Sequence, residues 1–400
     1  MTRDMQIHTK QNGEFLSDIA KKYEIGEDYL RMINEVGERE CCDGEELLIM
    51  TPTRSYKGQF GDTVERLAIR FGVNTAEIYA QNPQLRTREI IPGETISIKQ
   101  PPKKFGMGVA NGYFYKDCKA ERLAQAMPYL TYITFAAGMA DDRGVRANRN
   151  YSETVELVKK EDKIPLIRIY DKFKSRYKSD KNSAEYAERI IDLAMSDGYK
   201  GVVLDACDLS DSAEEFSSFL MILRKMMIGC DLILITEIDE NSPIQFSEYA
   251  DGSVLYYPKY ALDNPPSFEE GERRILSDFA CRGESAKVFI DLPSLVKTKD
   301  GYTGITDAMN TAYRGGCRIN KNESTLLSHF SDKKQGDCVF PSLDLIRSIY
   351  QLANEYDYMG ISFDIMRTPL SHIMMYNSMF KTSYYSNVRT REGCSRVSEE

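Results

Sequence analysis

Apolar runs that alternate with helical runs after residue 107 constrain the fold of this chain more than any other feature. The apolar runs are residues 108–115, 130–137, 164–170, 201–206, 231–238, 252–258, 287–294 and 359–365. Strands this apolar are typical of a parallel sheet that is buried on both faces. Eight of them predict an α/β fold, a (β/α)8 TIM-type barrel over residues 108–385. The gap between 294 and 359 exceeds one helix and predicts an inserted lobe.

The N-terminal part of the chain contains an internal repeat. Residues 13–25 (GEFLSDIAKKYEI) align with residues 61–73 (GDTVERLAIRFGV) at a shift of 48 residues. One inserted residue later, residues 43–50 align with residues 92–99. In each copy the pattern predicts a strand, two helices and a closing strand, so we expect two small α+β modules with the order βααβ.

The second copy resembles the LysM module, a βααβ unit that binds glycans containing N-acetylglucosamine, such as peptidoglycan and chitin. The resemblance rests on Gly61, Asp62, Thr63, Asn82, Pro83, Ile91 and Pro92, which it also implies as glycan-binding residues. It implies two LysM modules, at 4–51 and 54–100, each with sugar between the loop after its first strand and the loop before its last. In the first copy these loops are 13–16 and 35–44, where Glu14 and Phe15 replace Asp and Thr.

Composition and charge exclude several classes of function. The net charge is −9, with no long basic cluster, so nucleic acid and anionic membranes are not expected partners. The N-terminus has no apolar core of a signal peptide, and no apolar run approaches the ~20 residues of a membrane helix. We therefore expect cytoplasmic synthesis without a signal peptide or a membrane span.

Residues 101–107 are predicted to be a linker and residues 386–400 a flexible tail.

The cysteines and histidines indicate neither a disulfide framework nor a metal site. The nine cysteines are scattered and form no CxxC pair, which is typical of reduced thiols. The three histidines have no HxxxH or HxH spacing, so no zinc site, and no cofactor of any kind, is expected.

Mostly acidic and aromatic side chains lie at or just after the carboxyl ends of the predicted barrel strands, where the active sites of such barrels lie. They include Tyr113, Arg168, Asp205, Cys207, Asp208, Glu237, Tyr256 and Tyr257. This mixture suits a sugar, but polar residues occur wherever the strands of a barrel emerge.

Three segments in order resemble glycoside hydrolase family 18, and most of all its bacterial branch with N-terminal LysM repeats, the spore cortex-lytic N-acetylglucosaminidases. They are residues 111–144, 162–171 (DKIPLIRIYD) and 198–209 (GYKGVVLDACDL). In that family the fourth strand ends Asp-Gly-x-Asp/Asn-x-Asp-x-Glu. The last Glu is the general acid, and the Asp two before it orients the acetamido group of the substrate, which is the nucleophile.

The resemblance breaks down at the position of the general acid. Gly201 and Asp205 agree with the family, but the final Glu is replaced by Cys207. A thiol has an unperturbed pKa of about 8.5 and forms weak hydrogen bonds, so it is a poor proton donor to a glycosidic oxygen. The family's Asp at the sixth strand has no counterpart near Tyr256 and Tyr257, and the chain has no Trp for the family's position under the sugar.

Several interpretations stay open at this point. The first is a peptidoglycan- or glycan-binding protein whose barrel lacks the usual catalysis, with Tyr113, Glu237, Tyr256 and Tyr257 as groove residues and a location in the spore coat, the cortex or the cell wall. The alternative is an active N-acetylglucosaminidase that uses Asp208, turned inward by a bulge, or Glu237 as the acid. Cys207 as a nucleophile would require a histidine base.

Overall fold

The computed structural model describes residues 5–99, 105–141, 144–147, 150–171, 180–207, 209, 213–243, 245–256, 265–283 and 285–382. Asp208 and Tyr257 lie outside this part of the chain, as do most of the expected linker and the whole tail. The chain divides into two compact units. The first contains Met1–Phe105, Ser294–Ser348 and Arg367–Phe380, and the second contains Gly106–Pro293, Ile349–Met366 and Lys381–Glu400. This division cuts across the domain expected for residues 108–385.

Two βααβ units, called repeat 1 and repeat 2, form the N-terminal part of the first unit. Repeat 1 contains β1 (Met5–Thr9), α1 (Leu16–Lys22), α2 (Glu27–Ile33) and β2 (Glu46–Met50), and repeat 2 contains β3 (Arg54–Lys57), α3 (Val64–Phe71), α4 (Thr75–Gln81) and β4 (Thr95–Lys99). In each repeat the two strands pair antiparallel.

Helix α3 shows how the sequence of repeat 2 determines its local structure. The Oγ1 of Thr63 accepts a hydrogen bond from the backbone N–H of Arg66 and caps the N-terminus of the helix. Gly72 ends the helix in the left-handed conformation, at a φ of 63°. Between these ends, Leu67 and Ala68 are buried on the face that meets the core of the repeat.

The two repeats share the same internal hydrogen bonds at equivalent positions. The Nδ2 of Asn82 donates to the carbonyls of Ile78 and Ser97, and its Oδ1 accepts from the N–H of Ser97. Asn34 makes the same three bonds, to the carbonyls of Leu30 and Leu48 and the N–H of Leu48. The alignment by sequence therefore corresponds to equivalent geometry.

A second shared contact is an arginine–glutamate pair before the last strand. Arg39 forms two hydrogen bonds to the carboxylate of Glu45, at 2.6 and 2.8 Å. Arg88 forms the equivalent bonds to Glu94, at 2.8 and 3.1 Å. Neither pair was anticipated from the sequence, although both arginines and both glutamates are related by the same shift of 49 residues.

Asn82→Ala is expected to lower the free energy of unfolding by about 2 kcal/mol, because it leaves the buried N–H and C=O of Ser97 without their partner. The matched control is Asn12→Ala, which changes an exposed side chain and should cost no more than about 0.5 kcal/mol. Urea denaturation of the full chain measures both. Equal values for the two variants would contradict a structural role for Asn82.

The remainder of the first unit is a lobe, defined as residues 294–348, together with helix α13 (Leu370–Met379). Its five-stranded antiparallel sheet has the order β14 (Gly301–Gly304), β13 (Leu295–Thr298), β17 (Gly336–Pro341), β16 (Leu327–Asp332) and β15 (Asn320–Lys321). Helix α11 (Ile305–Gly315) packs on this sheet. The inserted lobe expected between 294 and 359 is therefore present.

The second unit is a closed barrel of eight parallel strands, which confirms the predicted TIM-type fold. The strands are β5 (Met107–Phe114), β6 (Tyr132–Asp141), β8 (Ile164–Asp171), β9 (Gly201–Asp205), β10 (Ile233–Ile238), β11 (Gly252–Leu255), β12 (Val288–Asp291) and β18 (Gly360–Asp364). Strand β5 pairs with both β6 and β18, so the sheet closes. Two short strands extend it, β7 (Gly144–Ala147) beside β6 and β19 (Lys381–Thr382) beside β5.

Helices cover the outside of this sheet, as in other barrels of this class. They are α5 (Ala120–Ala126), α6 (Ser152–Lys160), α7 (Asp180–Ser196), α8 (Ala213–Gly229), α9 (Gln245–Glu248), α10 (Arg274–Ala280) and α12 (Leu343–Glu355), whose first residues belong to the lobe. Within the described ranges, no helix combines the length and the apolar character needed to cross a membrane.

Candidate functional site

An ion pair occupies the centre of the barrel at the carboxyl ends of its strands. Arg168, on β8, donates from Nε to Oε1 of Glu237 at 2.7 Å and from Nη2 to Oε2 at 2.6 Å. The hydroxyl of Tyr113, on β5, donates to Oε1 of the same carboxylate at 2.7 Å. Tyr256, which follows β11, has its hydroxyl 3.5 Å from that oxygen.

Burial makes this ion pair a strong electrostatic feature of the barrel. Glu237 is 1% exposed and the side chain of Arg168 is 19% exposed. Burial alone would lower the pKa of Arg168, but the charge and hydrogen bonds of Glu237 raise this pKa above its ordinary value. Burial, reinforced by the charge of Glu237, raises the pKa of Tyr113 and of Tyr256. Both phenols therefore stay protonated and can donate hydrogen bonds.

Asp205 and Cys207 lie at the edge of the ion pair. The Oδ2 of Asp205 is 3.5 Å from Nη2 of Arg168, and its Oδ1 accepts a hydrogen bond from the backbone N–H of Cys207 at 3.1 Å. The side chain of Asp205 is 27% exposed, and Cys207 is half-buried. The structure thus brings together four of the predicted strand-end residues, Tyr113, Asp205, Glu237 and Tyr256, with Cys207 beside them.

The arrangement limits which of these groups can transfer a proton. Both carboxylate oxygens of Glu237 already accept hydrogen bonds from Arg168 and Tyr113, so Glu237 would have to leave these partners before it could contact a substrate. The three histidines, His8, His329 and His372, all belong to the first unit. The barrel unit itself therefore offers Cys207 no histidine base.

Arg168 is the member of this site to which the sequence analysis gave no role. The available signal was its position inside the apolar strand IPLIRIY, since a buried arginine needs a carboxylate partner. The sequence could not identify that partner, because Glu237 is 69 residues away.

The second candidate site is a pair of adjacent loops in repeat 2. The N–H of Gly58 donates to the carbonyl of Glu94, and the N–H of Gly93 donates to the carbonyl of Gly58. These bonds join the loop before α3 to the loop before β4. Large apolar side chains project from both loops, with Phe60 95% exposed and Ile91 51% exposed. Phe60 was not anticipated as a site residue.

The predicted glycan-binding residues of repeat 2 fall into two groups. Gly61, Thr63, Ile91 and Pro92 are exposed, and Asp62 is partly buried, with its Oδ2 accepting from the N–H of Gln59. Asn82 is fully buried and all its bonds are internal. It cannot contact a sugar without unfolding the end of α4, so its role is structural. Pro83 begins a short 3-10 helix, Pro83–Arg86.

Comparisons with known proteins support parts of this interpretation. Residues 56–99 match the model of the LysM domain. The SleL spore cortex-lytic enzymes of Bacillus megaterium QM B1551 and Bacillus cereus superpose with TM-scores of 0.71 and 0.72, at 18% and 16% identity, over 95% of this chain and 99% of theirs. A search of curated protein sequences found no match.

The barrel alone resembles further enzymes. The family 18 chitinase of Cycas revoluta, solved in complex with (GlcNAc)3, superposes with a TM-score of 0.58 at 14% identity, over 68% of this chain and 99% of that one. At this level of identity the likeness establishes the fold. The chain thus joins a LysM domain to a barrel with the fold of family 18 glycosidases.

Proposed function

We propose that this protein binds a cell-wall glycan that contains N-acetylglucosamine, and that its barrel lacks the usual catalysis of family 18. The observation that carries the proposal is that the barrel offers no carboxylic acid at the position of the family's general acid. Cys207 stands where the family has its general acid, and the neighbouring Glu237 is already bound by Arg168. Loss of general acid catalysis alone costs about 10²–10⁴ in rate.

The remaining barrel residues suit the binding of a polar ligand. Asp205 is partly exposed, and so is Tyr256, so both can still contact a sugar. Tyr113 is 1% exposed and serves instead to hold Glu237. Family 18 cleavage needs a proton donor beside the group that orients the acetamido nucleophile, and here only the orienting residue, Asp205, is retained.

Repeat 2 supplies the principal glycan site in this proposal. Its LysM match and its open loop pair both support this role. Phe60 and Ile91 offer apolar surface to the faces of the sugar rings, and the exposed backbone of Gly61 and Gly93 allows close approach. The SleL enzymes are described as cortex-lytic, so we place the protein in the cortex, the coat or the wall of a spore-forming cell.

Ile91→Asp in the full chain is expected to weaken binding to insoluble chitin and to spore cortex peptidoglycan by at least about tenfold, because it places a charge on the apolar loop. The control is Ile69→Asp, which changes an isoleucine that is 83% exposed on α3 and should leave binding unchanged. Sedimentation with each polymer measures the bound fraction. Failure of the wild type to sediment with either polymer would refute glycan binding.

A further inference from the structure

The loop 42–46 of repeat 1 is covered by the lobe, whereas the equivalent loop of repeat 2, residues 91–95, carries the exposed Ile91. We propose that repeat 1 has exchanged glycan binding for the attachment of the lobe, so that the LysM-type sites of the chain number one and not two. This inference rests on the proposed function only for the identity of the ligand at repeat 2.

Backbone contacts bring the lobe against the tip of this loop. The N–H of Ile319 donates to the carbonyl of Asp43 at 2.8 Å. The next residue, Gly44, leaves no room for a side chain, since a Cβ there would lie 1.9 Å from the carbonyl oxygen of Ile319. In repeat 2 the equivalent Gly93 has nothing within 4 Å of the same position.

Side chains of repeat 1 make further bonds to the lobe and to α13. The Oε2 of Glu46 accepts from the N–H of Leu343 at 2.7 Å, and its Oε1 lies 3.0 Å from Nζ of Lys321. The Oε2 of Glu35 accepts from Oγ1 of Thr306 and from the N–H of Leu370, each at 3.2 Å.

An apolar contact completes the attachment. Cys42 is 6% exposed and belongs to the hydrophobic core of the lobe, with Met309, Ile319 and Phe340. Its counterpart under the shift of 49 residues is Ile91, which is 51% exposed. The same position thus points into a protein core in repeat 1 and into solvent in repeat 2. A sugar chain cannot occupy the first without displacing the lobe.

The contrast extends to the positions that bind the lobe. Glu35 and Glu46 of repeat 1 correspond to Pro83 and Thr95 of repeat 2. Neither of the latter has a carboxylate, so repeat 2 lacks the charged acceptors that repeat 1 uses. The two copies keep the same internal bonds at Asn34 and Asn82 while their loop surfaces differ. The two repeats thus share one fold but present different loop surfaces, one suited to the lobe and the other to a glycan.

Gly44→Ala and Gly93→Ala form a matched pair that tests the attachment. Both glycines have a positive φ, 81° and 88°, so alanine is strained equally at each. Only Gly44→Ala also displaces Ile319, and we expect its Tm to fall about 5 °C further than that of Gly93→Ala. Limited trypsin digestion should cut the lobe faster in Gly44→Ala alone. Equal Tm values and equal digestion would overturn the attachment.

Asp62→Ala and Glu14→Ala form a second pair that tests the number of sites. Each removes an equivalent bond, from the N–H of Gln59 to Asp62 or from the N–H of Gln11 to Glu14. Calorimetry of the full chain with N-acetylglucosamine tetramer should give one LysM-type site. Asp62→Ala should weaken it at least about tenfold and Glu14→Ala less than about twofold.

Each result supports or overturns a specific statement. A site that is weakened equally by Glu14→Ala would show that repeat 1 binds sugar and would overturn the inference. Absence of any binding by the wild type would refute the proposed function. In that case the comparison of Gly44→Ala with Gly93→Ala still decides whether repeat 1 holds the lobe, because it involves no ligand.

Discussion

Arg168→Ala is expected to lower the free energy of unfolding of the barrel by about 3–5 kcal/mol, because it leaves the carboxylate of Glu237 buried without its counter-charge. With Arg168 in place Glu237 is 1% exposed, so the variant loses two charge-assisted hydrogen bonds at a site that is largely shielded from water. The phenol of Tyr113 alone cannot neutralise the charge. Chemical denaturation followed by far-UV circular dichroism measures the change.

Two controls distinguish the cost of leaving a charge buried without a partner from the cost of losing an ion pair in general. Arg189→Ala breaks an exposed pair with Glu185 on α7, where both side chains are more than half exposed, and it should cost at most about 0.5 kcal/mol. The double variant Arg168→Met with Glu237→Leu removes both charges and should recover most of the stability lost in Arg168→Ala. A cost for Arg168→Ala as small as that for Arg189→Ala would contradict the buried ion pair.

The sequence predicts the barrel well because the signals for its strands are local. The run predicted at 164–170 is observed as Ile164–Asp171, and that predicted at 359–365 as Gly360–Asp364. A short apolar run rich in β-branched and aromatic residues, set between longer helical patterns, indicates a buried strand from its own residues. The order of the strands around the barrel then follows from the regular alternation.

The grouping of the lobe with the repeats could not be predicted in this way. It depends on contacts such as Leu343 with Glu46, which are separated by 297 residues. The sequence does show that Cys42 stands at the position of Ile91. It does not show which part of the chain packs against Cys42. The sequence likewise predicts Asn82 as a sugar contact, whereas the structure buries it. An asparagine occurs at this position in both repeats, as Asn34 and Asn82, and a buried structural amide explains that as well as a sugar contact does.

The candidate site in the barrel combines strand ends that the sequence indicates with a side-chain pairing that only the structure reveals. The carboxyl ends of the strands bring Tyr113, Asp205 and Tyr256 to the ion pair of Arg168 and Glu237. The pairing of Glu237 with Arg168 needed the structure, because strand register and side-chain direction set it. In the structure, Glu237 is the hydrogen-bonded partner of Arg168, whereas the sequence offered it as a groove residue or as an acid.

Cys207→Glu is expected to raise the release of reducing ends from N-acetylglucosamine oligomers by about 10²-fold over the wild type, because it restores a carboxylic acid two residues after Asp205. The backbone N–H of residue 207 already bonds to Asp205, so the new side chain starts from a fixed position. Cys207→Gln has the same shape without an acidic proton, and it should remain as inactive as the wild type.

The same assay distinguishes the proposal from its alternative. If the wild type releases reducing ends and Asp208→Asn stops the release, the acid has moved by one residue and the protein is an active N-acetylglucosaminidase. If Glu237→Gln stops the release instead, the ion pair with Arg168 must open during turnover. Activity that appears only in Cys207→Glu would show that a single side chain separates this barrel from catalysis.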